Sequence, residues 1–154
     1  MPGYGILPAG EGSGLLPWSW AQARLEDSHD YWLSTVTPGG RPHLMPVWAV
    51  WLDSAVWFSS SLKSRKIRNV LAGSDVSIAT GDPLSPVVVE GTARVVTDTP
   101  SIQRFLDTMN AKYSTDYGLE FLDPAANSVA VVNPRWAFGL SEHDFGGSPT
   151  RWEF

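Results

Sequence analysis

The segment FSSSLKSRKIRNV, residues 58–70, decides how the rest of this chain is interpreted. It joins the end of an apolar stretch to three consecutive serines and then to four basic side chains within six positions. The chain carries 11 Lys and Arg against 16 Asp and Glu, so this short segment holds over a third of its basic residues. Such a concentration in a chain of net charge −5 predicts a local site for an anionic group.

The serines and the basic residues fall on opposite sides of a predicted strand-to-helix junction. The third predicted strand ends in serines, and a short helix then begins with Ser64 and carries basic side chains. Hydroxyl groups, amides at the helix start and cationic groups would meet there, which favours a phosphate site. The alternative is a solvated helix face, which is what most Lys and Arg runs form. The serines and the junction favour the ligand. The residues concerned are Ser59, Ser60, Ser61, Ser64, Arg65, Lys66 and Arg68.

The residues before this segment predict antiparallel strands. YWLSTVT (31–37) is rich in β-branched and aromatic residues, and PGGRP (38–42) supplies turn residues. HLMPVWAVWL (43–52) predicts a second strand and VWFSS (56–60) a third. Three strands joined by short turns indicate a meander.

The second predicted strand is apolar on both of its faces. Val47, Ala49 and Trp51 alternate with Trp48, Val50 and Leu52, so neither set is polar. A barrel interior would cover one face, and a subunit interface or a planar ligand would cover the other. Pro46 cannot donate a hydrogen bond to a neighbouring strand, which places it at a sheet edge or at a bulge.

The residues after the basic segment predict further strands and one long helix. These are VSIAT (76–80), VVVEGTARVV (87–96), the helix TPSIQRFLDTMNAKY (99–113), and SVAVVNPRWAFGL (128–140) as two strands separated at Asn133 and Pro134. The expected fold class is α+β, mainly β: an antiparallel barrel of six to seven strands with short flanking helices.

Length and composition indicate one domain in a reducing compartment. We expect a flexible arm over residues 1–17, which are rich in Gly and Pro, and a single domain over residues 18–154. The chain has no Cys, and its first residues form neither a signal peptide nor an apolar span, so we expect a cytoplasmic protein that does not enter a membrane. With pI about 5.0, nucleic acid is not an expected partner, although eight Trp leave base stacking open as a minor alternative.

FSSSLKSRKIRNV, placed after antiparallel strands, resembles the phosphate-binding segment of the pyridoxamine 5′-phosphate oxidase-like superfamily, the FMN-binding split β-barrels. The closer resemblance is to the flavin/deazaflavin oxidoreductases that use coenzyme F-420. In that group YWLSTVTPGGRPHLMPVWAVWLD and VVVEGTARVV have counterparts in the same order. The likeness runs from about Pro17 to Leu140.

The resemblance implies a cofactor site. The phosphate would lie at the basic segment, the ring against the second strand, and Lys63 and Arg68 would be free for the acidic tail of F-420. Backbone groups of Val47 and Trp48 would bond to the ring edge, and Trp136 would approach the ring bound to the other subunit. The implied cofactor-binding residues are Met45, Pro46, Val47, Trp48, Ser59, Ser60, Ser61, Lys63, Ser64, Arg65, Lys66 and Trp136.

Two departures from the family pattern argue against oxidation of pyridoxamine phosphate itself. The FMN-dependent vitamin oxidases carry an arginine in the second strand, where this chain has Met45. Their basic residues near the carboxyl terminus have no counterpart in SPTRWEF, residues 148–154.

The resemblance therefore implies a homodimeric, F-420-dependent oxidoreductase that transfers a hydride between the deazaflavin and an unsaturated small organic substrate. No side chain is expected to be catalytic, because the cofactor carries the reactivity, and no metal site is indicated. The alternatives are an FMN-dependent reductase or oxidase of the same fold and a non-catalytic protein that binds flavin or haem.

Overall fold

The structure of the chain is a computed structural model that describes residues 6–154. Its helices are α1 (Trp18–Asp27), α2 (Arg65–Leu71) and α3 (Thr99–Tyr113), with 3-10 helices at Leu119–Leu122 and Glu142–Asp144. Its strands are β1 (Tyr31–Val36), β2 (Pro42–Val47), β3 (Ala49–Leu52), β4 (Ala55–Ser61), β5 (Asp75–Thr80), β6 (Val87–Val96), β7 (Asn127–Gly139) and β8 (Thr150–Glu153).

The strands form one antiparallel sheet whose two edges are joined by a single residue. The order across the sheet is β2-β1-β5-β6-β7-β4-β3, and β8 pairs with β7. Strands β2 and β3 lie at opposite ends of this order, yet only Trp48 separates them in the chain. The sheet must therefore curl until its two edges approach each other, which gives a split barrel, as the sequence predicted.

Apolar side chains form two cores, one on each side of the curled sheet. The interior of the barrel holds Leu33, Phe58 and Ile78, each no more than 1% exposed, and α2 closes it with Ile67 and Val70. The second core lies between the sheet and α3 and contains Val50, Trp57, Val131, Phe105 and Leu106. Burial of these side chains is the main term that stabilises the fold.

Residues 6–154 contain eight strands rather than six or seven, since the second predicted strand is divided at Trp48. Residues 42–47 pair with β1, whereas residues 49–52 pair with β4. One continuous strand cannot pair at both edges of the sheet. The expectation of a simple meander is therefore wrong at this point. Strand β8, which the sequence analysis left out, adds the last strand to the count.

The predicted break at Asn133 and Pro134 is a β-bulge within the single strand β7. Glu90 pairs with Trp136 and Gly91 with Pro134, so Arg135 is the extra residue. A Cβ at Gly91 would lie 1.9 Å from the carbonyl oxygen of Asn133, so glycine is required there. The proline is accommodated because the ladder is already interrupted at the bulge.

The second face of β3 is covered by α3 of the same chain, not by a subunit interface. Val50 is 1% exposed and belongs to the core that includes Phe105. On β2 the situation differs, since Leu44 remains 57% exposed on the outer side of the sheet. Strand β2 therefore presents an outward apolar face, together with Trp32 and Val36 of β1.

Residues 6–17, which belong to the predicted arm, have no helix or strand and lie against the end of their own chain. The amide of Gly10 donates to the carbonyl of Pro149 (3.3 Å) and that of Gly14 to Gly147 (3.2 Å). Residues 1–5 of the predicted arm lie outside the described residues. Over residues 6–154, no helix is both long and apolar enough to span a membrane.

Candidate functional site

The exit of β4 and the start of α2 form a hydrogen-bonded cluster of two serines and a lysine. Lys66 Nζ donates to Ser60 Oγ at 3.2 Å, and Ser60 Oγ donates to Ser64 Oγ at 3.1 Å. Ser128 on β7 fixes this end of β4, because its hydroxyl donates to the carbonyl of Ser60 at 3.1 Å. The structure therefore brings Ser60, Ser64 and Lys66 together, as the site prediction requires.

The three consecutive serines do not all face this cluster. Side chains alternate along a strand, so Ser59 and Ser61 point to the side of β4 opposite Ser60. Ser61 Oγ instead accepts a hydrogen bond from the amide of Lys63 at 3.2 Å. Ser64 Oγ also accepts from the amide of Ile67 at 3.3 Å, so one of the amides expected to face the anion already has a partner.

The cations of this region have no acidic partners. In residues 6–154, the ion pairs of arginine join Arg104, Arg135 and Arg151 to carboxylates, while the five basic residues near the cluster make none. Burial lowers the pKa of Lys66, so the folded chain holds this ammonium group at a cost. Arg24, Arg94 and Lys112 also make no ion pair in residues 6–154, so it is the grouping of five cations that favours a site for an external anion. The five residues are Arg41, Lys63, Arg65, Lys66 and Arg68.

A cavity of about 340 Å³ extends the basic region toward the β1–β2 hairpin. Arg41, Arg65 and Arg68 line it, together with Thr37, Pro38 and Asn69. Arg65 and Arg68 lie three residues apart and thus on one face of α2. Arg41 is a residue that the site prediction missed, because its approach to α2 depends on how the hairpin folds.

His43 is a second residue that the prediction missed. It pairs across the sheet with Thr35, whose hydroxyl accepts a hydrogen bond from Asn69 Nδ2 of α2 at 2.9 Å. His43 therefore lies on the side of β2 that α2 covers. Its Nδ1 is shielded from solvent and has no hydrogen-bond partner. Desolvation, followed by the charges of Arg65 and Lys66, lowers the pKa of His43.

The segment predicted to contact the cofactor ring lies along the edge of the sheet. Within residues 6–154, strand β2 pairs with β1 alone, so its other edge carries backbone groups that are free to bond a ligand. Met45 and Trp48 are each 42% exposed, whereas Val47 is 9% exposed. Met45 alternates to the same side as His43, and Pro46 alternates to the outer side.

Helix α3 fixes the backbone where β2 passes into β3. The rings of Trp48 and Tyr113 are stacked, with centroids 4.3 Å apart and planes at 5°. Tyr113 Oη accepts from the amide of Ala49 at 2.9 Å, and Lys112 Nζ donates to the carbonyl of Ala49 at 3.1 Å and to Tyr31 Oη at 2.9 Å. Burial raises the pKa of Tyr113 to about 12 and lowers that of Lys112 to about 8.

Changing Tyr113 to Phe should remove this anchoring while keeping the ring stack. We expect Tyr113→Phe to lower the free energy of unfolding by about 1–2 kcal/mol, because the amide of Ala49 loses its partner. The measurement is urea unfolding followed by tryptophan fluorescence. The matched control is Tyr117→Phe, since Tyr117 also stacks on an aromatic ring but its hydroxyl is in no hydrogen bond of the described residues. Equal losses in both variants would contradict the assignment.

Trp136 is not brought to the basic cluster of its own chain. Ser60 pairs with Ser128, eight residues before Trp136 on β7, which corresponds to about 26 Å at roughly 3.3 Å per residue. Trp136 instead lies on the outer face of the sheet with the guanidinium carbon of Arg151 4.7 Å from its ring centroid. Any role of Trp136 at a basic cluster requires a second copy of the chain.

In chemical terms, the site can hold a phosphorylated ligand, because it combines hydroxyl groups, unpaired cations and a free strand edge. Over residues 6–154, no three His, Asp or Glu side chains are grouped to hold a metal ion. The arrangement is one of binding and orientation.

Comparisons with known proteins identify the family and the fold. The model of the family described as pyridoxamine 5′-phosphate oxidase matches residues 20–140. No curated protein sequence matches the chain.

Three solved structures are similar over most of the chain. A conserved hypothetical protein from Mycobacterium tuberculosis is 20% identical with a TM-score of 0.69, covering 93% of this chain and 91% of that one. An F-420 reductase is 26% identical with a TM-score of 0.60, covering 83% and 95%. A heme binding protein from Mycobacterium smegmatis is 23% identical with a TM-score of 0.66, covering 90% of this chain and 59% of that one. At these identities the first and third show a shared fold alone.

Proposed function

The chain belongs to the pyridoxamine 5′-phosphate oxidase family, and on that premise we propose that it is a coenzyme F-420-dependent oxidoreductase, with FMN as the alternative cofactor. The reaction is a hydride transfer between the deazaflavin and an unsaturated small organic substrate. The similarity to an F-420 reductase at 26% identity supports this choice over other activities of the fold.

The observation that carries the proposal is the extent of the unpaired positive charge. FMN presents one phosphate, for which Ser60, Ser64 and Lys66 suffice. F-420 also carries a chain of glutamates, which needs further cations beyond the phosphate. The cavity lined by Arg41 and Arg68 supplies them next to the phosphate cluster. In an acidic chain, this charge is explained by an anionic ligand larger than one phosphate.

The chain contributes orientation rather than acid or base groups. When bound, the deazaflavin supplies the hydride-transfer chemistry. The cationic cluster holds the phosphate, and the free edge of β2 near Val47 and Trp48 holds the ring edge. Because Tyr113 and Lys112 fix the backbone at Ala49, this edge keeps its position without the ligand. Such preorganisation lowers the cost of bringing cofactor and substrate together.

We place the second subunit of the proposed homodimer on the outer face of the sheet. Leu44, Ser34, Ser77, Glu90 and Trp136 pair in turn and form one row across five strands. Four strand spacings separate Leu44 from Trp136, about 19 Å. In a two-fold dimer through this face, the Trp136 of one copy can meet β2 of the other.

The test of the cofactor is a pair of titrations. Oxidised F-420 and FMN are each added to the purified protein, and binding is followed by the fluorescence of the ligand. We expect F-420 to bind more tightly than FMN. Tight binding of FMN with weak binding of F-420 would assign the FMN alternative. Binding without turnover of any quinone or dye acceptor would assign a non-catalytic carrier.

A double variant distinguishes binding of the phosphate from binding of the glutamate tail of F-420. We expect Arg41→Ala with Arg68→Ala to weaken F-420 by about tenfold or more, while FMN changes by less than about twofold, because only the tail uses these charges. The matched control is Arg104→Ala with Arg135→Ala, which removes two positive charges away from the cavity. Equal loss for both cofactors would place the phosphate itself in the cavity.

A further inference from the structure

The Nδ1 of His43 has no hydrogen-bond partner among the neighbouring described residues. The cross-strand partner of His43 on β1 is Thr35, whose hydroxyl already serves Asn69. The His43 side chain is only partly buried, but its Nδ1 is shielded and unpartnered, so this nitrogen is available to a ligand.

The charged groups around His43 are all of one sign. Helix α2 contributes Arg65 and Lys66, whose charges act on the imidazole, and no carboxylate of residues 6–154 acts on it. The β4 side chain of the cluster is Ser60, which is neutral and accepts a hydrogen bond from Lys66. Arg41 lies two residues before His43, in the turn before β2, and lines the cavity with Arg65 and Arg68.

We propose that His43 is a ligand of the cofactor phosphate and takes up a proton when the phosphate enters. The inference rests on the proposed function, because the anion is the phosphate of the bound cofactor. It adds to that function a fourth binding residue beside Ser60, Ser64 and Lys66, and it couples binding to a proton.

Phosphate binding is coupled to proton uptake because the phosphate changes the charge around His43 from positive to negative. With the site free of anion, desolvation and then the charges of Arg65 and Lys66 disfavour the protonated imidazole and lower the pKa of His43. A phosphate neutralises Arg65 and Lys66, and the protonated imidazole can then donate from Nδ1 to the anion. The pKa of His43 therefore rises on binding, and each unit of rise corresponds to about a tenfold gain in affinity.

Because the pKa of His43 is lower in the free protein than with phosphate bound, the direction in which affinity changes with pH is fixed. Affinity is lowest above the pKa of the bound form, where His43 is neutral in both states. It increases as pH falls through that pKa and levels off below the pKa of the free form. A histidine that merely packs against α2 would give no such dependence.

The direct test uses proton NMR, because the chain has only three histidines. The ring signals of His29, His43 and His143 are titrated from about pH 8 to about pH 5 without ligand, with inorganic phosphate and with FMN. We expect the pKa of His43 to lie below its ordinary value in the free protein and to rise with phosphate and with FMN. An unchanged His43 titration with FMN bound overturns the inference.

Binding measurements give the second test. Titration of the FMN phosphate affects the affinity of both proteins in the same way, so the two are compared over one pH range. Between about pH 8 and about pH 5.5, we expect the affinity of the wild type for FMN to increase about fivefold more than that of His43→Asn. Riboflavin, which lacks the phosphate, should show no difference between the proteins. His143→Asn is the matched control and should behave as the wild type. If His43→Asn keeps the full gain, the inference fails although the cofactor site stands. If neither FMN nor F-420 binds at any pH, the proposed function itself fails.

Discussion

Changing Lys66 and Arg65 together to Ala is expected to weaken binding of F-420 and of FMN by about a hundredfold or more. A hydrogen bond to a charged group contributes about 1.5–3 kcal/mol, and each 1.4 kcal/mol corresponds to about a tenfold change. Both side chains belong to the unpaired cationic cluster, and Lys66 reaches Ser60 at its centre. The effect should be common to both cofactors, because both present a phosphate. Fluorescence titration of each cofactor measures it.

The same double variant should leave the stability of the cofactor-free protein nearly unchanged. Burial lowers the pKa of Lys66, so the folded chain gains nothing from this charge without a ligand. We expect the free energy of unfolding to change by less than about 0.5 kcal/mol. Arg104→Ala with Arg135→Ala removes the same number of charges away from the cluster and should retain most of the affinity. If instead the cofactor-free variant unfolds readily, the cluster stabilises the fold and is no evidence for a ligand.

The sequence predicted most of the strands because hydrophobic alternation and turn residues are local signals. It could not predict that Trp48 divides two strands at opposite edges of the sheet. That division depends on which strands pair, and residues 43–52 read locally as one unbroken apolar strand. The bulge at Arg135 was missed for a similar reason, since Asn133 and Pro134 read as a break while the pairing with β6 continues on either side.

In the candidate site, too, the sequence predicts the residues that local geometry brings together but not those that tertiary folding brings together. Ser60, Ser64 and Lys66 lie within seven residues, and local geometry alone brings them together. Arg41 and His43 reach the site only because the β1–β2 hairpin folds onto α2, which no local pattern indicates. Strand alternation was available from the sequence and would have separated Ser59 and Ser61 from Ser60.

The apolar character of both faces of residues 43–52 is compatible with a dimer interface. The structure accounts for one part of this apolar surface within a single chain and leaves another part exposed. Helix α3 covers the second face of β3, which accounts for Val50 within one chain. The outer side of β2 keeps an unexplained apolar surface, formed with β1. Trp32 and Leu44 are 47% and 57% exposed there, and Val36 is 41% exposed. The dimer proposal therefore rests on this outer face.

Changing Leu44 to Glu should convert the proposed dimer into a monomer. In a two-fold interface each substitution occurs twice, so two carboxylates would be buried without partners. At about 2 kcal/mol or more for each, the dimer should weaken by about a thousandfold. Sedimentation velocity of the cofactor-free protein measures this without any contribution from the ligand. Leu84→Glu is the matched control, since Leu84 is 55% exposed but lies in the loop between β5 and β6.

The dimer variant also tests where Trp136 acts. Because Trp136 lies about 26 Å along β7 from the residue that pairs with Ser60, it can contact a cofactor ring only across the interface. A monomeric Leu44→Glu protein should therefore lose as much affinity for the flavin ring as a dimeric Trp136→Leu protein does. Riboflavin is the ligand for this measurement, because it has no phosphate on which the added carboxylate could act. If Leu44→Glu sediments as the wild type does, the outer face is not the interface. If it is monomeric yet binds riboflavin as tightly as the dimer, each chain holds its ring alone and Trp136 has no part in the site.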